Sequence, residues 1–468
     1  MTEVLSPPSA APNPLRTEKP CHLPTKRAAV ADVHAPSMAL PQRFILTGIA
    51  ALLVGSVWLV GRPIVLAGYH YGPEVVAVTH LFVLGWICSV IMGAMYQLVP
   101  VALETRLHSE RLARWHFTLH VIGFVGMVVM FLAWNMKQVG HFGSLVAIGV
   151  GLFVYNLART LVRIPRWNVV ASGIASSLCW LSLTILAGLF LASAKCWPQI
   201  SPFQPIAAMH AHAHLGGLGF FVMMIVGVSY KLVPMFALSE VRSTRRAGWS
   251  LALLNTGLAG VFITVLLASA WKIAFAFVVL GGLVLYGCEI VAILRARKRR
   301  NLDWGLKYFL TAIALLVPVS ALGIVLAWPQ LPATVLTAQM ENVYGLLAFI
   351  GVVTLAMLGM LYKVVPFLVW YASYSKAIGR NKVPSLADLY SPALQAVGYW
   401  LFLAGLLLTS VATALGHETC VRAGSVVLLA SVAVFAVNIG KTLSHLVRPR
   451  LEPLILKPAV PGNACPPP

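Results

Sequence analysis

Apolar residues run along this chain in long blocks of about 20, separated by short segments that hold most of the charges, the prolines and many of the glycines. Blocks of that length match, as helices, the roughly 30 Å hydrocarbon core of a bilayer. The pattern predicts twelve of them: 44–62, 75–101, 114–134, 142–162, 169–192, 205–236, 248–268, 272–294, 306–327, 334–370, 393–413 and 422–446. The expected fold is therefore an all-α polytopic membrane protein. Residues 1–42, rich in Pro, Ala and Ser, are expected to be a disordered cytoplasmic tail rather than a cleaved signal, and 449–468 another such tail.

One pattern recurs on spans 2, 6 and 10. It reads His80-Leu-Phe-Val-Leu-Gly85 … Gly93 … Tyr96 … Pro100, then His214 … Gly219 … Gly227 … Tyr230 … Pro234, then Leu346 … Gly351 … Gly359 … Tyr362 … Pro366. Gly, Gly, Tyr and Pro follow the key position at 5, 13, 16 and 20 residues each time, and the tyrosines lie 134 and 132 residues apart. A period that long means a repeated multi-helix unit rather than a solenoid. It predicts three four-helix repeats, at about 43–165, 166–298 and 299–448, in a pseudo-threefold bundle within a membrane domain of 43–448. The prolines are expected to end their helices, the tyrosines to sit at interfacial depth, and the glycines to admit close neighbours.

The chain is 59% hydrophobic and 10% charged, with a net charge of +21. A nucleic-acid partner fails on where the cations fall. Arg106, Arg111 and Arg114 follow span 2; Arg159, Arg163 and Arg166 follow span 4; Arg242, Arg245 and Arg246 follow span 6. Arg295 to Arg300 follow span 8, Lys376, Arg380 and Lys382 span 10, and Arg448 and Arg450 span 12. Intervening loops carry only scattered cations such as Arg62, Lys137, Lys195, Lys272 and Arg422. That alternation is the positive-inside signature. It predicts a multi-pass protein of a bacterial-type inner membrane with both termini cytoplasmic, touching anionic lipid. The seven cysteines form no CxxC pair; Cys196 and Cys420 fall in predicted outer loops, with nothing in the spacing to favour a disulfide.

This topology puts His80 and His214 at one depth, about a turn below the outer surface. In Met209-His210-Ala-His212-Ala-His214, residues two apart point about 200° apart and residues four apart share a face. That helix can present ligands on both sides. His80 and His214 are the expected metal or cofactor ligands, His212 a further one and His210 a candidate metal ligand, because polar groups in a membrane are costly and rarely idle. His70, His141, His417 and His445 read as interfacial residues. His116 and His120 have the i, i+4 spacing of a metal pair, but they fall in the inner half of span 3. His116 is expected at the interface and His120 bonded to a neighbouring helix. Glu289, in span 8, needs a partner or a proton-handling role, and Glu341 lies one turn outside Leu346.

These residues resemble the haem–copper oxidase superfamily, catalytic subunit I, most of all its cbb3-type and nitric-oxide-reductase branch. The segment His212-Ala-His214-Leu-Gly-Gly-Leu-Gly-Phe220 … Tyr230-Lys-Leu-Val-Pro234 is similar to the signature of that family's tenth span, and Ser109 to Phe117 is similar to the stretch after its sixth. In the family, the first histidine of the pair holds a high-spin haem and the second a low-spin one. Here the signature stands on span 6, span 10 has no histidine at its key position, and span 7 has none at all, so the copper triad is missing. The resemblance implies haem b, one or two per chain, with His80 and His214 as axial pair and His212 on the opposite face; copper is not expected. Haem carboxylates would meet Arg62, Lys195, Trp197 or Arg422. It implies electron transfer, or oxygen or nitric oxide chemistry, near the outer face; as an enzyme the chain would be an oxidoreductase. The alternatives are a haem or metal protein of the nitric-oxide-tolerance type, and a transporter or channel. No CxxCH and no Cys-Met-rich copper loop is present, so electrons would come from a partner subunit, a soluble cytochrome or quinol.

Overall fold

The computed structural model describes residues 39–453. Twelve helices in it are long and apolar enough to cross a membrane. We number them α1 Ala39–Gly61, α2 Pro73–Ala102, α3 Glu110–Leu132, α4 Met136–Leu161, α5 Val169–Cys196, α6 Pro205–Ala237, α7 Thr244–Leu266, α8 Lys272–Arg295, α9 Trp304–Ala327, α10 Val335–Ala377, α11 Pro392–Ala414 and α12 Glu418–Val447. Each apolar block of the sequence becomes one helix. A helix satisfies its backbone internally, which a bilayer core demands. Most of the two tails expected at 1–42 and 449–468 lies outside the described residues. Within their described ends, α1 already starts at Ala39, and Asn381–Lys382 pairs antiparallel with Glu452–Pro453, reinforced by Lys382 donating to Glu452 at 2.9 Å.

Polar side chains start the helices. Ser109, Asn135, Asn168, Ser243, Asp303, Thr334 and Ser391 each accept the N–H of the residue three further on, meeting donors that the first turn leaves open. One tie recurs three times along the chain. Asn156 accepts the Ser109 amide at 2.9 Å, Glu289 the Ser243 amide at 2.9 Å, and Asn438 the Ser391 amide at 2.8 Å. In each case the helix that carries the acceptor is thereby tied to the cap of the helix just before it.

The repeated prolines do not end their helices. Pro100, Pro234 and Pro366 sit inside α2, α6 and α10, which continue to Ala102, Ala237 and Ala377. A proline removes only one backbone donor, and packing on both sides can carry the helix past it. The tyrosines a turn earlier, Tyr96, Tyr230 and Tyr362, are buried inside the bundle.

The second repeat glycine is where helices cross. A Cβ on Gly93 would stand 2.4 Å from Phe44 Cβ of α1, one on Gly227 2.9 Å from Gly173 Cα of α5, and one on Gly359 2.5 Å from the Gly305 carbonyl of α9. Just after each key position the helix widens to π geometry for eight residues: Leu81–Cys88, Leu215–Val222 and Leu347–Thr354. Such widenings are rare and frequent at functional sites. Among the described residues Cys196 and Cys420 are free thiols.

Candidate functional site

His80 and His214 are each the last α-helical residue before a π segment, and each is held the same way. Nδ1 of His80 lies 2.8 Å from the Val76 carbonyl, and Nδ1 of His214 2.7 Å from the His210 carbonyl. A backbone carbonyl can only accept, so Nδ1 carries the proton and Nε2 keeps its lone pair free. That is the arrangement that orients imidazole for a metal. Leu346, at the third copy, is buried among apolar neighbours.

The rings border different spaces. His80 packs on Phe131 of α3 at 4.6 Å and lies within electrostatic reach of His212. His212 faces α5, where a Cβ on Gly188 would come within 3.1 Å of its Cε1. His214 turns the other way, over Tyr344 of α10 at 6.1 Å, onto the wall of a cavity of about 610 Å³. Helices α1, α2, α7, α8, α9 and α10 line it around α6, mostly with apolar side chains such as Phe82, Val222, Leu316 and Phe349; neither His80 nor His212 is part of its wall. The rings of His80, His212 and His214 are only half-buried although deep in the bundle, so they border internal space rather than packed side chains.

At the cation-poor end of the cavity stand three polar groups. His70 comes from the α1–α2 loop, His210 from α6 and Glu341 from α10. Glu341 Oε2 lies 3.2 Å from His70 Nε2 and 3.9 Å from His210 Nε2, and the two rings stack with centroids 5.6 Å apart. Gln339 donates to the Ala67 carbonyl at 2.7 Å and Asn342 to the Gly68 carbonyl at 2.8 Å, which brings the His70 loop onto α10. Sequence reading placed His210 among the ligands but gave His70 an interfacial role and saw Glu341 only as near Leu346. The signal available was weak: a carboxylate in an apolar span, and a histidine between Gly68 and Gly72.

Other candidates have structural duties. His120 lies fully buried with Nε2 3.0 Å from Ser89 Oγ on α2, as expected; His116 is buried too, with Nδ1 2.9 Å from the Tyr96 hydroxyl. Glu289 spends its carboxylate on the Arg242 and Ser243 amides and on Arg246 at 3.4 Å. His445 bonds the Tyr374 hydroxyl, and His417 caps α12.

Cations frame the histidine end. Lys195 sits over the rings of Tyr71 at 4.7 Å and Trp134 at 5.9 Å, on the α3–α5 side that His80 and His212 face. Arg62 is committed to Glu74 at 2.9 and 3.0 Å; that hydrogen-bonded pair, and the charge it brings, raises the guanidinium pKa above its ordinary value.

No family model matches the chain, and no curated protein matches it. A solved structure does: a heme-copper terminal oxidase dimer determined by cryo-EM, with a TM-score of 0.62 and 12% identity, covering 89% of this chain and 84% of that one. The fold and the helices together define an integral, multi-pass membrane protein with the fold of a heme-copper terminal oxidase.

Proposed function

We propose that the chain binds haem b and acts in electron transfer or in oxygen or nitric oxide chemistry. The observation that carries this is three imidazoles on α2 and α6, two with Nε2 oriented by a carbonyl bond, all bordering internal space. The residues fit the group: a cavity of about 610 Å³ lies within the range of about 300–1,000 Å³ usual for cofactor sites, and its apolar wall suits a macrocycle. His214, on the cavity wall, would hold one haem, and His80 with His212, on the α3–α5 side, would hold another. This grouping departs from the His80–His214 pair that equal depth alone suggests, because only His80 and His212 face the α3–α5 side. Bound haem supplies a reversible one-electron couple and, where five-coordinate, an open position for a small gas. The Val76 and His210 carbonyls fix each ligand's tautomer, and Lys195 offers a cation to haem carboxylates.

A pseudo-threefold bundle with its cation-rich loops in the cytoplasm accounts for the repeat and puts these histidines near the outer face. The family's copper triad is not expected here, because α7 has no histidine, and His116 and His120 are engaged by Tyr96 and Ser89. Four-electron oxygen reduction is therefore not expected of the chain alone, and a partner subunit, soluble cytochrome or quinol would deliver electrons. The test is the absorption spectrum of the purified protein from haem-replete cells, reduced and with carbon monoxide. A Soret band with a low-spin component is expected. Protein without haem would move a transporter reading ahead.

A further inference from the structure

We propose that His70, His210 and Glu341 form a site for one divalent first-row transition metal at the mouth of the cavity, separate from any haem. Their three ligand atoms lie within 4.8 Å of one another. Around a metal with bonds of about 2.0–2.2 Å, neighbouring donors sit about 3.4 Å apart, so closure takes a side-chain movement of about 1.5 Å at most. Two imidazoles and a carboxylate form a borderline nitrogen–oxygen set that suits Fe²⁺, Co²⁺ or Zn²⁺ and disfavours Ca²⁺ and Mg²⁺.

Two further observations point to a ligand. His70 Nδ1 is buried with no hydrogen-bond partner among the described residues, and Nε2 meets Glu341 Oε2 at 3.2 Å; leaving Nδ1 so costs free energy unless something satisfies it. The supports are also built: Gln339 and Asn342, which flank Glu341 in sequence, hold three carbonyls of the His70 loop, at Leu66, Ala67 and Gly68. That is the outer shell a metal centre needs to fix its ligands. Each ligand comes from a different repeat unit, so the site exists only when α2, α6 and α10 are assembled. Remaining coordination positions open toward the apolar cavity, which admits small uncharged molecules. The competing arrangement is a proton-sharing Glu341–His70 pair, balanced by Lys272 within electrostatic reach of both Glu341 and His210.

The experiment titrates Co²⁺ into the full-length protein, purified without a histidine tag and stripped with chelator. One equivalent is expected to bind with a visible d–d band. Glu341→Gln, His70→Ala and His210→Ala are each expected to weaken it at least about 100-fold, since outer-shell partners alone are worth 10–100-fold. Glu341→Gln keeps the shape of the side chain, and an unaltered melting temperature checks its fold. X-ray absorption at the cobalt edge of the unaltered protein is expected to show two imidazoles. Absence of binding, affinity unchanged by Glu341→Gln, or a cobalt shell without imidazole overturns the proposal in favour of the proton-sharing pair. The Soret band is read in parallel, so failure of the haem reading and failure of this one are told apart.

Discussion

Histidine at a repeated position means little until its second nitrogen is accounted for. His80 and His214 satisfy Nδ1 on a carbonyl one turn back and keep Nε2 free, whereas His116 and His120 give ring nitrogens to Tyr96 and Ser89. His80→Ala and His212→Ala are each expected to abolish the low-spin haem spectrum, whereas His214→Ala should remove only the component that responds to carbon monoxide. If His214→Ala erases the low-spin band and His212→Ala spares it, the pair is His80 with His214. Leu346→Ala should leave the spectrum unchanged. The repeat made His80 and His214 legible, and the two-residue spacing added His212. His70 and Glu341 were not legible, because a loop residue and an acid five positions before a leucine come together only through the packing of three distant helices.

At the level of helices, composition was enough for existence and position but not for what proline does within them. All twelve blocks became helices, while the prolines of the repeat sit inside their helices instead of ending them. The glycines were read correctly as points of close approach. Gly227→Val would drive a side chain into the Gly173 backbone, from which even a Cβ would stand only 2.9 Å. Overpacking of this kind costs about 1–3 kcal/mol or more, and the expected outcome is a lower melting temperature and a smaller folded fraction in detergent. Glu289 repeats the duty that Asn156 and Asn438 perform in the other units. Glu289→Ala leaves the Arg242 and Ser243 amides unpaired, a loss of about 1–3 kcal/mol, whereas Glu289→Asn should recover much of it; equal melting temperatures for the two variants would refute the equivalence.

For the whole molecule, the bilayer imposes most of what could be read. Its thickness fixes helix length, and the bias of the cations suggests which loops face the cytoplasm. A cysteine at Ala270, in a loop low in cations, should react with a membrane-impermeant maleimide added to intact cells. One at Arg297, in the densest cation run, should react only after permeabilisation; the reverse result would invert the topology. What composition could not supply is which helices enclose space. The cavity depends on how six of them diverge around α6, a matter of relative placement rather than of any single stretch.

The ties from Ser109 to Asn156, Ser243 to Glu289 and Ser391 to Asn438 each close over 46 or 47 residues. So short a reach lets every unit lock as soon as its own fourth helix has left the ribosome, before the next unit exists. Biogenesis can then proceed as three successive closures of low contact order, with only the docking of finished units left to the end. The histidines on α2 and α6 would meet when the second unit docks on the first, so cofactor capture would fall between the second closure and the third.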